Sequence, residues 1–143
     1  MERKFNRFYT VKMGFLGSGY LDTPYSVVET RILFEIWTNK RCIQSDIVKT
    51  LHIDKSYLSR IIKGFCKMGL VEKRKSDEDK RAAYIMLTKK GVTETERLIA
   101  LTNQQIRAKI RDLNADECGE LCAALDTVIF ILGRSEGHES DSV

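Results

Sequence analysis

The chain has 143 residues, 24 Lys and Arg against 20 Asp and Glu, and is 43% hydrophobic and 31% charged; that suffices for one domain, or one domain plus helices reserved for pairing with a second copy. Val128 to Leu132, the longest purely apolar run near the carboxyl end, falls far short of the ~20 residues of a membrane span. No apolar stretch follows Arg3, Lys4 and Arg7, so neither membrane attachment nor a secretory signal is read, and the expected setting is the cytoplasm, with the four cysteines as thiols. In chain order, residues 2–13 read as a helix with Phe5, Phe8, Tyr9 and Lys12 at helical spacing, and the glycines from Gly14 onward stop it. Ser26 and Glu29 form a capping box that opens a second helix through about Thr38, with Ile32, Leu33, Ile36 and Trp37 on its apolar face. Arg41 to Ile43 is a short strand. Gln44 to Leu51 is a short helix, and Asp54 caps the next one, which runs to Met68 and stops at Gly69. Leu70 to Lys75 and Arg81 to Leu87 are two strands, with Ser76 to Lys80 as a charged hairpin tip between them. Thr88 caps a long helix to about Leu113, in which Val92, Ile99, Ile106 and Leu113 recur every seven residues, a spacing suited to packing along another helix. Asn114 opens a last helix with Leu121, Leu125, Val128 and Ile129 on one side, and the polar stretch from Arg134 is a frayed tail.

Charge is distributed unevenly. Residues 40–90 carry 14 Lys and Arg against 6 Asp and Glu, whereas the remainder carries 10 against 14. A basic middle between acidic ends is the pattern of a phosphate-binding module joined to a scaffold.

The helix after Asp54 concentrates that charge. Leu58, Ile61, Ile62 and Phe65 lie within about 60° of Leu58 around the helix axis. Ser56, Arg60, Lys63 and Lys67 lie about 140–200° away, directly opposite. Tyr57 and Ser59 stand on the flanks. Such a helix anchors by one edge and offers a hydroxyl and three cations on the other. Arginine donates a bidentate pair to guanine, serine serves bases or phosphates, and lysine neutralises phosphate. The short helix just before it, joined by a tight turn, makes this a helix-turn-helix reading. In the following hairpin, Lys73, Arg74 and Lys75 climb one strand, while Lys80 and Arg81 begin the return. Arg81 is placed to reach a minor groove or a phosphate, and Asp79 to hold that arginine extended.

Asp79-Lys80-Arg81, followed after five residues by Leu87-Thr88 and Gly91, resembles the D-x-R-x5-L-T-x-x-G signature of the multiple-antibiotic-resistance regulator (MarR) family. Asp54 to Arg60 and Gly69-Leu70-Val71 resemble that family's recognition helix and its exit into the wing. The resemblance implies a mainly α fold with a small β-hairpin, a winged helix-turn-helix with dimerisation helices at both ends. The implied divisions are 1–25 for the first dimerisation helix and its loop, 26–91 for the DNA-binding region, 92–133 for the last dimerisation helices and 134–143 for a tail. It further implies a homodimer on a palindromic operator in double-stranded DNA, a repressor released by a small-molecule effector, and no enzyme. Carried over by position, Ser56, Tyr57, Ser59, Arg60 and Lys63 are recognition-helix contacts, with Lys80 and Arg81 in the wing. Lys80 stands where the family usually has glycine, and Ile43 where it often has a threonine cap.

Other signals carry less. The glycine-rich Gly14 to Gly19 has neither a preceding strand nor a following Lys-Ser/Thr, so it reads as a loop rather than a phosphate cradle. Cys118 and Cys122 read as a buried pair on one helix face, and Cys42, Cys66, His52 and His138 are too irregularly spaced to complete a metal site. No cofactor is expected, and two distant histidines give catalysis little to rest on. Tyr9, Tyr25 and Trp37 fit either an effector pocket or plain packing. The rival function is a winged helix that binds protein or structured RNA through general electrostatics. The Ser56, Arg60 and Lys63 face separates the two, because it offers base-edge chemistry as well as charge.

Overall fold

A computed structural model describes residues 1–16, 19–78 and 83–134. The chain divides into two compact units, residues 1–103 and 104–143. The first contains α1 (Glu2–Lys12), a 3₁₀ turn (Tyr20–Asp22), α2 (Val27–Asn39), β1 (Arg41–Cys42), α3 (Gln44–Leu51), α4 (Lys55–Lys67), β2 (Val71–Lys75) and β3 (Ala83–Leu87). The long α5 (Lys89–Ile110) begins in this unit and ends in the second, which also holds α6 (Ala115–Gly133).

Local chemistry accounts for the helix ends. At α2 the Glu29 amide donates to Ser26 Oγ and the Ser26 amide to Glu29 Oε1, both at 3.1 Å. Asn114 and Glu117 repeat this reciprocal cap at α6, at 2.9 Å each way. Ile43 has no oxygen to offer, and α3 starts without a side-chain cap. The helix α4 closes through Gly69 in the left-handed conformation (φ 73°). There the Gly69 amide donates to the Cys66 carbonyl (3.1 Å) and the Leu70 amide to the Phe65 carbonyl (2.9 Å), the paired closure that glycine favours.

The expected hairpin is one part of a three-stranded antiparallel sheet of order β1-β3-β2. Val71 pairs with Leu87 and Lys75 with Ala83, and on the other edge of β3, Cys42 pairs with Ile85. Alternation puts Cys42, Val71 and Ile85 in the core. On the outer face the Arg41 guanidinium lies 4.3 Å from the centre of the Tyr84 ring, and Arg74 pairs with Glu72 at 2.8 Å. Ile32, Leu33 and Ile36 of α2, Ile47 of α3, and Leu58, Ile62 and Phe65 of α4 complete the core with Leu70 and Leu98. Burial there lifts the Cys42 thiol to about 11, with the Asp46 and Glu35 carboxylates adding to the effect.

The buried line of α5 is Gly91, Thr95 and Leu98. Val92 and Ile99, the first two members of the seven-residue repeat, are half-buried, and Ile106 is 40% exposed. The repeat therefore marks a face beside the one that packs in this unit. Leu113, its last member, lies beyond the end of α5. In the second unit the apolar residues of α6 are exposed, from 39% at Val128 to 69% at Ile129. Cys118 is half-buried and Cys122 exposed, which corrects the expected buried pair: among the described residues nothing fully covers the face they share.

The Tyr20–Tyr25 segment is closed by bonds within itself. The Tyr20 amide donates to the Tyr25 carbonyl (2.9 Å), and Thr23 Oγ1 donates to the Tyr20 carbonyl (2.6 Å). The Tyr25 hydroxyl lies near the Glu94 carboxylate, which takes Arg97 at 2.7 Å. Burial first, and the Glu94 charge second, push the Tyr25 phenol up; the Arg97 hydrogen bond holds Glu94 below the usual carboxylate range. Nearby in sequence, the hydroxyls of Thr30 and Thr95 are buried without hydrogen-bond partners among the described residues. An unpaired buried hydroxyl costs about 1–3 kcal/mol, so Thr95→Val, which keeps the shape, is expected to raise stability by about 1 kcal/mol in urea unfolding. A loss of similar size would mean that the hydroxyl is bonded after all.

Candidate nucleic-acid interface

The surface is built on α4. Asp54 sets its start, accepting the Tyr57 amide at 2.9 Å. Leu58 and Ile62 are fully buried and Phe65 is 1% exposed, so the apolar stripe is clamped into the core and the opposite face has to point outward. Ser56, Tyr57, Arg60, Lys63 and Lys67 are exposed, as expected; Ser59 is half-buried. Arg60 leans toward Tyr57, its guanidinium carbon 5.8 Å from the ring centre. No acidic residue occurs between Lys55 and Lys67, so nothing on the helix competes for these cations. Extended arginine and lysine side chains beside serine hydroxyls suit a polyanion that also displays hydrogen-bonding edges.

In front of α4 stands α3, and His52 in the left-handed conformation (φ 51°) turns the chain between them. Behind α4 the chain passes through Gly69 directly into β2, whose Lys73, Arg74 and Lys75 are exposed. Asp79, Lys80 and Arg81 lie outside the described residues, so the expected wing contacts have no observed position. Of the aromatic residues weighed for a pocket, Tyr25 is buried in the core, Trp37 is half-buried with the Lys40 ammonium 5.0 Å from its ring centre, and Tyr9 is 37% exposed. These belong to different settings. Among the described residues no group of three or more His, Cys, Asp or Glu is gathered in a way that could hold a metal ion, and no helix is long and apolar enough to cross a membrane.

One element of the surroundings is invisible in the sequence pattern. Thr88, just before α5, and Lys90, in its first turn, reach back to the carboxyl end of α4. Thr88 Oγ1 donates to the Gly69 carbonyl at 2.5 Å and accepts the Gly91 amide at 3.0 Å, while Lys90 Nζ donates to the Met68 carbonyl at 2.8 Å. The signal lay in the Leu87-Thr88 and Gly91 motif, whose spacing gives no hint of its partner.

Residues 26–83, which contain α2 through α4 and β2, match the family model described as MarR family. The HTH-type transcriptional regulator BilQ of Clostridium symbiosum is 26% identical over 110 residues, 75% of this chain and 74% of that protein. Residues 26–83 thus resemble the MarR family of transcription regulators. Regulators of this family are DNA-binding transcription factors rather than enzymes. The fold extends the likeness beyond the matched region. The reduced form of MarR from E. coli superposes with a TM-score of 0.76 at 22% identity, covering 90% of this chain and 96% of that one. A mutant of the same protein complexed with operator DNA gives 0.70 at 24% identity, with 90% and 92% covered. BpsR of Bordetella bronchiseptica, whose DNA binding is regulated by 6-hydroxynicotinic acid, gives 0.70 at 18% identity, with 89% and 96% covered. The winged helix-turn-helix expected from the sequence is the fold of this family, with β1 as a third strand.

Proposed function

We propose that this protein is a homodimeric, sequence-specific repressor in the cytoplasm that lays α4 in the major groove of a palindromic operator. The observation that carries the reading is the exposed face of α4, where Arg60, Lys63 and Ser56 stand opposite a stripe buried to completion at Leu58 and Ile62. Arg60 reads a base edge; Ser56, Tyr57, Ser59 and Lys63 contribute contacts to bases or phosphates. Lys80 and Arg81 serve the wing, with Arg81 reaching a minor groove or a phosphate. Residues 26–91 form the DNA-binding region, 1–25 and 92–133 the pairing segments, and 134–143 a tail.

Pairing is supported by apolar area left bare on α1 and α6. Phe8 of α1 is 64% exposed, and in the other unit Phe130 and Leu132 of α6 are 65% and 64% exposed, so each helix leaves large apolar side chains bare to water. A two-fold dimer presents its two reading helices about one DNA turn, ~34 Å, apart. Release by a small molecule is the control expected; the DNA binding of BpsR is regulated by 6-hydroxynicotinic acid, so an aromatic acid is the class to try first.

A fluorescent duplex, enriched by the protein itself from a random pool, tests the reading by anisotropy against an unrelated duplex. The enriched duplex is expected to bind at least 10³-fold more tightly, about the lower bound for specific recognition. Log affinity should fall linearly with log salt, with a slope near −0.9 for each phosphate neutralised. Salt-insensitive binding, or equal affinity for both duplexes, would favour the protein- or RNA-binding rival. Sedimentation at micromolar concentration should give twice the 16.4 kDa chain mass.

A further inference from the structure

The start of α5 is fastened to the exit of α4 by two side chains, Thr88 just before α5 and Lys90 in its first turn. Lys90 Nζ sits 2.8 Å from the Met68 carbonyl and Thr88 Oγ1 2.5 Å from the Gly69 carbonyl, while the Thr88 amide bonds the Leu70 carbonyl at 2.9 Å. Three successive carbonyls at the exit of α4 are thus held by Thr88 and Lys90 at the start of α5. Gly91 lets that turn come this close, since a β-carbon there would run into the Leu70 backbone. The ammonium also faces the negative end of the α4 dipole, where a cation is favoured. Lys90 has an acidic neighbour one turn along its own helix, but that carboxylate, Glu94, takes Arg97 instead.

We propose that Lys90 is a positioning residue for DNA recognition: bonded to the carbonyl of Met68, the cap of α4, it fixes the tilt at which Arg60, Lys63 and Ser56 meet the DNA. This inference rests on the regulator reading above. Lys90 touches no base in it. It acts through the backbone of α4, and it makes the orientation of the reading helix answer to α5.

The decisive comparison is Lys90→Met, which keeps the stem and removes the ammonium, with Lys90→Arg as the conservative variant. Binding of the enriched and unrelated duplexes is measured across a salt series, and circular dichroism checks that each variant is folded. Preference for the enriched duplex is expected to fall roughly three- to tenfold in Lys90→Met, a loss in keeping with one exposed charge-assisted hydrogen bond. The salt slope should stay unchanged, and Lys90→Arg should restore the preference. If Lys90 were simply a phosphate ligand, both duplexes would weaken alike and the slope would become shallower by about 0.9 for each phosphate no longer neutralised; that result overturns the proposal. Without DNA, amide exchange at Met68, Gly69 and Leu70 should quicken in Lys90→Met, and unaltered exchange there also overturns it. A wild type that prefers neither duplex sinks the regulator reading together with this one. A discriminating wild type matched by Lys90→Met sinks this inference alone.

Discussion

Gly91→Ala is expected to destabilise the protein by about 3 kcal/mol or more, at the upper end of overpacking costs. Gly91 is buried, and a β-carbon built on it would strike the Leu70 carbonyl oxygen and come within 2.9 Å of the carbonyl carbon. Both obstacles are backbone. They cannot swing aside as a flexible side chain would, and the Leu70 carbonyl already accepts the Thr88 amide at 2.9 Å. Relief requires moving α5 away from the junction of α4 and β2, which would pull Lys90 and Thr88 off their carbonyls. Thermal unfolding at fixed protein concentration reads the effect as a drop of about 10 °C, taking roughly 3 °C per kcal/mol for a chain of this size. A variant melting within about 2 °C of the wild type would show that the approach is looser than the structure indicates.

Arg60→Ala should leave stability nearly unchanged while costing about 1–3 kcal/mol of binding to the enriched duplex and relaxing the preference at one base position. Arg60 is exposed, and its one described partner is the Tyr57 ring, 5.8 Å away. Little of the fold depends on it. Binding depends on it more, because an arginine that contacts guanine through two hydrogen bonds leaves that base unread when it is removed. Randomised-pool selection with the variant is the sensitive measurement, since it reports the unread base directly. Equal losses on enriched and unrelated DNA would assign Arg60 to the phosphates instead.

Much of the fold was legible because its signals are local. The Ser26 and Glu29 pair, the Asp54 cap and the Gly69 stop each act over a few residues, and each helix end fell within a few residues of the place its chemistry indicated. Ile43 failed to cap α3 for the same reason: it has no oxygen. The exposed face of α4 was equally readable, since the 3.6-residue period that buries Leu58, Ile62 and Phe65 turns Arg60 and Lys63 outward. Ser59 sits deeper than its flank position suggested.

What escaped the sequence is contact between distant segments. No local pattern shows that Cys42 pairs with Ile85 to complete the sheet, or that Lys90 belongs to the end of α4. The seven-residue repeat of α5 was real but ambiguous, because a repeat marks a face without naming its partner. Within the first unit the core takes Gly91, Thr95 and Leu98 instead. Two small residues and one leucine make a faint hydrophobic signal, yet they permit the close approach of α5 to the Leu70 backbone. Likewise the shared spacing of Cys118 and Cys122 implied burial only if something covered that face.

A helix that carries Lys55, Arg60, Lys63 and Lys67 without a single acid bears a cost when it stands alone. Neighbouring like charges three or four positions apart each oppose helix formation by about 0.2–0.5 kcal/mol, and Lys55 adds to this at the positive end of the dipole. The unbound helix therefore stays ordered on the strength of its greasy side and its aspartate cap, against self-repulsion. Any polyanion laid along it, heparin as readily as an operator, will relieve that repulsion and raise the melting temperature. Stabilisation by nucleic acid is consequently a poor guide to the right sequence, and only discrimination between duplexes reports on reading.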